Sequence, residues 1–108
     1  MVKIEGKEHY KNLKLCSKIF IVQFGSKSCL PCVAIKEKIE AFKKENNCVS
    51  FGYVSVEENQ ELSAKEGVFS VPTVLVFIMG KLFLRESGYF SLDEIFSKIR
   101  RYIDLMEE

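Results

Sequence analysis

Three short runs dense in β-branched and aromatic residues, Ile19–Phe24 (IFIVQF), Val49–Val56 and Thr73–Met79, alternate with segments whose apolar residues recur at helical spacing. This alternation constrains the fold most, because strands that are apolar on both faces need helices to cover both faces. After the first run, Cys32, Ile35, Ile39 and Phe42 fall at i, i+3, i+7 and i+10, while Lys36, Glu40 and Lys44 line a polar flank. That spacing predicts a helix from Leu30 to about Glu45. Pro31 suits its first turn, where a missing N–H has no helical partner to lose. Asn59 to Lys65 predicts a short helix stopped by Gly67. The third run passes through a tight turn at Gly80-Lys81 into Leu82–Glu86, which reads as a hairpin. Ser91 and Glu94 then form a capping box ahead of Leu92, Ile95, Phe96, Ile99, Ile103 and Met106 on one helical face. Before the first run, Val2 and Ile4 read as a short edge strand and Lys7–Leu15 as a weak helix.

The expected architecture is therefore α/β, a mixed sheet of four to five strands flanked by helices on both faces. Strands joined by helices are expected to run parallel, and the hairpin adds antiparallel pairing. Phe51, Phe69, Phe77, Phe83 and Phe96 are assigned to the core. With 108 residues and no repeat, low-complexity tract or Pro/Gly/Ser-rich linker, residues 1–108 read as a single domain.

Charge narrows the function classes. Sixteen Lys and Arg against fifteen Asp and Glu leave a formal charge of +1. Such a balance does not build a surface that neutralises many phosphates or anionic lipids, so neither nucleic acid nor membrane is expected as a partner. The longest apolar stretch, Val74–Met79, is six residues long, whereas spanning a bilayer takes about 20. Glu5, Lys7, Glu8 and Lys11 interrupt any leader-like apolar run, which points to a cytoplasmic protein whose idle thiols stay reduced.

Cys29 and Cys32 are spaced C-x-x-C. Cys29 falls between the end of a buried strand and the start of a helix, where functional groups collect in α/β sheets. Unpaired N–H groups and about half a positive charge at the helix start favour a thiolate there. Cys32, one turn further on, lies on the same side of the helix. This arrangement suits two-step exchange, in which Cys29 attacks a disulfide and Cys32 resolves the mixed disulfide. Lys27 is a further candidate for favouring the thiolate. The polar setting Gly25-Ser26-Lys27-Ser28 argues against two inert core thiols. A zinc site needs about four ligands; only Cys16, Cys48 and His9 remain, all placed at the far end of the sheet, so no metal is expected. Cys16 and Cys48 read as separate half-buried thiols and His9 as a surface residue.

The stretch Ile21-Val22-Gln23-Phe24-Gly25-Ser26-Lys27-Ser28-Cys29-Leu30-Pro31-Cys32 resembles the active-site segment of the thioredoxin family. Forty residues later, Val71-Pro72-Thr73 followed by Val74–Phe77 and Gly80 resembles the cis-proline loop, strand and hairpin glycine of that family. Gly88 stands where the family has a glycine near its substrate groove. The resemblance runs from about Ile19 onward. It implies the thioredoxin fold, a redox-active Cys29–Cys32 disulfide, a cis Val71–Pro72 bond, and a Val71 backbone that pairs with a bound substrate strand. It also implies protein disulfides as substrates, a monomer without bound cofactor, and a separate reductase of the thioredoxin-reductase type. No Gly-rich dinucleotide fingerprint is present in this chain.

The departures from the family are informative. Gln23 occupies the position of the family's buried Asp and cannot titrate. Ser28 and Gly25 replace two family tryptophans, and the chain contains no Trp. Leu30-Pro31 separates the cysteines where thioredoxin has Gly-Pro. These changes leave a competing reading, a thioredoxin-fold binding module with little turnover. A glutathione-dependent, glutaredoxin-like reductase is a third, disfavoured by the eight-residue interval from Pro72 to Gly80. Intact Cys29 and Cys32 rank reduction of protein disulfides first.

Overall fold

The first apolar run becomes the middle strand of a five-stranded sheet in a computed structural model that describes residues 1–107. The elements are β1 (Val2–Lys3), α1 (Gly6–Cys16), β2 (Ile19–Gly25), α2 (Leu30–Glu45), β3 (Val49–Ser55), α3 (Gln60–Lys65), β4 (Thr73–Ile78), β5 (Lys81–Ser87) and α4 (Leu92–Met106). Sheet order is β1-β3-β2-β4-β5. β1 and β2 run parallel to β3, β4 runs antiparallel to β2, and β5 antiparallel to β4.

The rule that helix-linked strands run parallel thus fails between β3 and β4. The six residues of α3 span only about 9 Å, too little to carry the chain back along the sheet. β4 therefore starts at the end of the sheet where β3 stops, and runs the other way.

All seven residues of β2 are buried, and the twofold alternation of a strand divides them between two cores. Ile19 and Ile21 pack with Ile39, Phe42, Val76 and Ile99 under α2 and α4. Phe20, Val22 and Phe24 pack with Tyr10, Leu62, Leu75 and Phe77 under α1 and α3. Phe42 and Phe96 stack at 4.3 Å between ring centroids and join α2 to α4. No helix among the described residues is long and apolar enough to cross a membrane.

Several sequence expectations need correction. The hairpin turn is Met79-Gly80, one residue earlier than expected, and Lys81 opens β5. Both turn residues have positive φ, 52° and 81°, the backbone that matches the twist of a two-residue hairpin. Phe69 is 85% exposed and Phe83 40% exposed, so neither is a core residue. Phe69 sits in the loop between α3 and β4, and Phe83 lies on edge strand β5, where it meets Tyr102 at 6.0 Å. Met106, in the last turn of α4, has drifted off the buried face. Cys16 and Cys48 are free and exposed rather than half-buried. His9 is partly buried, and its Nδ1 accepts a hydrogen bond from the Glu5 N–H at 3.0 Å, at the start of α1.

Ser91 caps α4, its Oγ accepting from the Glu94 N–H at 3.2 Å. Ser91→Ala leaves that donor to water and is expected to cost about 1 kcal/mol. A lower urea midpoint with unchanged denaturant slope is the expected measurement.

Candidate active site

β2 ends at Gly25, and a short turn returns the chain to the start of α2. The Cys29 N–H donates to the Ser26 carbonyl at 3.2 Å, closing that turn. Cys29 is the N-cap of α2, with φ −88° and ψ 99°, and its side chain makes no capping bond. Pro31 lies in the first helical turn. The Cys32 N–H donates to the Cys29 carbonyl at 3.2 Å. Cys29 and Cys32 are joined as a disulfide across a Cα separation of 5.4 Å. Their accessibilities differ: Cys29 retains 9% exposure and Cys32 only 1%. An incoming group therefore reaches the Cys29 sulfur first.

Gln23 lies beneath the disulfide on the α2 side of β2 and is completely buried. Its Nε2 donates to the Cys32 carbonyl at 2.8 Å, bracing the first turn of α2. Its Oε1 is buried with no hydrogen-bond partner among the described residues. Tyr53 on β3 is the register neighbour of Gln23. A Cβ on Gly25 would collide with the Tyr53 hydroxyl and come within 3.0 Å of Cys32 Sγ. Burial, and secondarily the Glu57 carboxylate, push the Tyr53 phenol above its ordinary range. Lys27 is exposed, and its backbone N–H donates to Glu57 at 3.2 Å. This anchored backbone fixes the loop just ahead of Cys29.

A second segment faces the helix start. The Val71–Pro72 bond is cis, Pro72 is buried and Val71 half-buried. The Gly88 N–H donates to the Pro72 carbonyl at 3.2 Å, with Gly88 at φ +75°, a conformation that favours glycine. Thr73 Oγ1 donates to the Ser70 carbonyl at 2.8 Å and lies 2.9 Å from Ser87 Oγ, pinning the loop on both sides. Pro31, Val71, Pro72 and Gly88 thus come together along one groove of about 490 Å³, with Ile35, Lys38, Tyr89 and Phe90 completing its walls.

Leu30 and Tyr89 stand almost free of neighbours, at 84% and 107% exposure. Sequence reasoning passed over both as candidate site residues. The available signal was Tyr89 itself, a large aromatic between Gly88 and the α4 cap where neither strand nor helix spacing would bury it. Chemically, the site offers one accessible sulfur, a second sulfur shielded behind it, and an apolar groove alongside.

The thioredoxin family model matches residues 1–101. A thioredoxin from Chlamydia caviae is 24% identical over 102 residues, covering 94% of this chain and 99% of the relative. The solved structure of Fasciola hepatica thioredoxin is 30% identical with a TM-score of 0.81, covering 94% of this chain and 98% of that one. The crystal structure of thioredoxin from Trypanosoma brucei brucei superimposes with a TM-score of 0.84 at 24% identity, over 96% of this chain and 91% of that one. At that identity the likeness speaks for the fold alone.

Proposed function

This chain belongs to the thioredoxin family and is a thiol–disulfide oxidoreductase, and from that premise we propose that it reduces protein disulfides, with Cys29 as nucleophile and Cys32 as resolving thiol. The observation that carries this reading is the Cys29–Cys32 disulfide on either side of Pro31, which lines the groove, with Cys29 the more accessible sulfur. In the reduced protein the N-terminus of α2 favours the Cys29 thiolate. That thiolate attacks one sulfur of the client disulfide, and the other client sulfur leaves and takes up a proton. Cys32 then attacks the Cys29 sulfur and releases the remaining client thiol. Two electrons pass from the protein dithiol to the client, and the Cys29–Cys32 disulfide is formed.

The client strand lies along the Val71 backbone beside Pro72, with Gly88 next to it, bonded to the Pro72 carbonyl. Pro31 stiffens the helix turn that carries Cys32, and Lys27 adds a cation to the loop before Cys29. Electrons return through a separate reductase of the thioredoxin-reductase type. The protein works as a single-domain monomer in the cytoplasm, a reading supported by two exposed unpaired thiols, Cys16 and Cys48, of the kind that a reducing compartment keeps free.

Equilibration with defined glutathione or dithiothreitol ratios, read by mass shift of trapped thiols, tests the direction of electron flow. A reductant is expected to titrate at about −270 mV. A value from about −180 to −120 mV belongs to an oxidase or isomerase and overturns the reductant. If no reversible Cys29–Cys32 disulfide forms at any ratio, the chain is a binding module instead.

A further inference from the structure

The resolving step requires Cys32 to become a thiolate at a place where Gln23 can neither take up its proton nor carry a charge. Gln23 spends one of its two Nε2 protons on the Cys32 carbonyl, and the amide oxygen is an acceptor that does nothing for an anion. The α2 face of the sheet holds another polar group at this point. Tyr53 sits beside Gln23 in register, and because Gly25 has no side chain the Tyr53 hydroxyl takes the place of its Cβ, a point 3.0 Å from Cys32 Sγ. Opening the disulfide frees Cys32 Sγ from Cys29 and leaves it beside the place the Tyr53 hydroxyl occupies.

We propose that the Tyr53 hydroxyl donates a hydrogen bond to the Cys32 thiolate and thereby makes Cys32 competent to resolve the mixed disulfide. The inference rests on the dithiol chemistry proposed above. In the step itself Cys32 gives its proton to solvent, its sulfur attacks Cys29, the Cys29–client bond breaks, and the departing client sulfur takes a proton from solvent. Tyr53 keeps its own proton throughout, as donor and not as acid.

The surroundings keep Tyr53 in that role. Burial and Glu57 both hold the phenol protonated well above neutral pH. Lys36, on α2, places its Nζ 5.5 Å from the ring centroid. Lys3, the register neighbour on β1, is paired with Glu58 at 3.3 Å. Lys36 favours the thiolate by its charge, but that contribution does not pass through the Tyr53 hydroxyl, so removing one oxygen atom isolates the hydrogen bond.

The test is Tyr53→Phe in a background where the exposed Cys16 and Cys48 are replaced by serine. Adding Cys29→Ser leaves Cys32 as the one thiol, and its ionisation is followed by thiolate ultraviolet absorbance. Its pKa is expected to rise by about 1 on loss of the hydroxyl. With both active-site cysteines present, resolution is timed by release of the second thionitrobenzoate after reaction with the aromatic disulfide reagent. At neutral pH the thiolate fraction falls about tenfold, a more basic sulfur recovers about half of that on a logarithmic scale, and resolution slows about threefold. Above both pKa values the order inverts and the variant resolves faster, an inversion that loosened packing would not produce.

An unmoved Cys32 pKa with unchanged resolution at every pH overturns the role of Tyr53 while leaving the dithiol reading intact. Failure of the Tyr53-containing background protein to release a second thionitrobenzoate overturns both. In the unmutated protein, the Tyr53 phenol is expected to titrate at higher pH in the reduced than in the oxidised form, a readout that needs no variant. Identical titration in the two forms also overturns the proposal.

Discussion

Cys32→Ser is expected to trap the protein as a covalent adduct with its client, whereas Cys29→Ser abolishes turnover. Serine preserves the shape of either site but has a hydroxyl that does not ionise near neutral pH, so each substitution removes one nucleophile and little else. Without Cys29 no accessible sulfur remains at the start of α2, because Cys32 retains 1% exposure. The expected loss in a protein-disulfide reduction assay is about 10³-fold or more, the scale on which removing a covalent nucleophile acts. Without Cys32 the first attack proceeds and the second cannot, so the mixed disulfide at Cys29 accumulates. Intact mass shows the protein plus one client, and dithiothreitol releases it. Because Cys16 and Cys48 are exposed and free, the adduct must be mapped to Cys29 by peptide mass. Full activity of Cys29→Ser, or an adduct carried by Cys16 or Cys48, sinks the assignment of nucleophile and resolving thiol.

The parts of this molecule that were legible in its sequence are those fixed by local periodicity. Ile19–Phe24 is apolar at every position but Gln23, and only a strand covered on both faces accommodates that. The α4 pattern and its Ser91 cap are equally local, and the structure places them as the spacing requires. What escaped depends on what covers a residue in three dimensions. Phe69 and Phe83 carry core-type side chains, yet one occupies a loop and the other an edge strand where it stays 40% exposed. The direction of β4 turned on the length of α3, six residues being too few for a crossover. The site shows the same division. The C-x-x-C spacing and Val71-Pro72 are sequence patterns, whereas Tyr53 comes near Cys32 from a neighbouring strand only because its hydroxyl takes the place of a Gly25 Cβ. Gln23 was legible as an amide that cannot titrate; that it braces the Cys32 carbonyl required the fold.

Phe20→Ala is expected to cost about 3–5 kcal/mol of stability and to leave the reduction potential where it was. Phe20 has no exposed surface, meets Tyr10 edge-on at 6.0 Å, and stacks with Phe77 at 6.3 Å and 24°. The backbone on β3 is shaped to receive it, since a Cβ on Gly52 would lie 3.0 Å from Phe20 Cε1. That close fit allows little collapse into the space an alanine leaves. In a chain of this size each kcal/mol lowers the melting temperature by about 4–8 °C, so the midpoint should fall on the order of 20 °C. The potential responds differently because it measures the free-energy difference between two folded forms. Phe20 points to the α1 and α3 side of β2, away from Gln23 and the disulfide on the α2 side. Oxidised and reduced protein share this core, so its loss cancels from the difference. The measurement is a pair of urea titrations, one in each redox state, beside a glutathione equilibration. Equal losses with a fixed potential show that the central strand separates folding stability on one face from redox chemistry on the other. A potential that moves with the substitution shows instead that the two faces of β2 are coupled through its backbone.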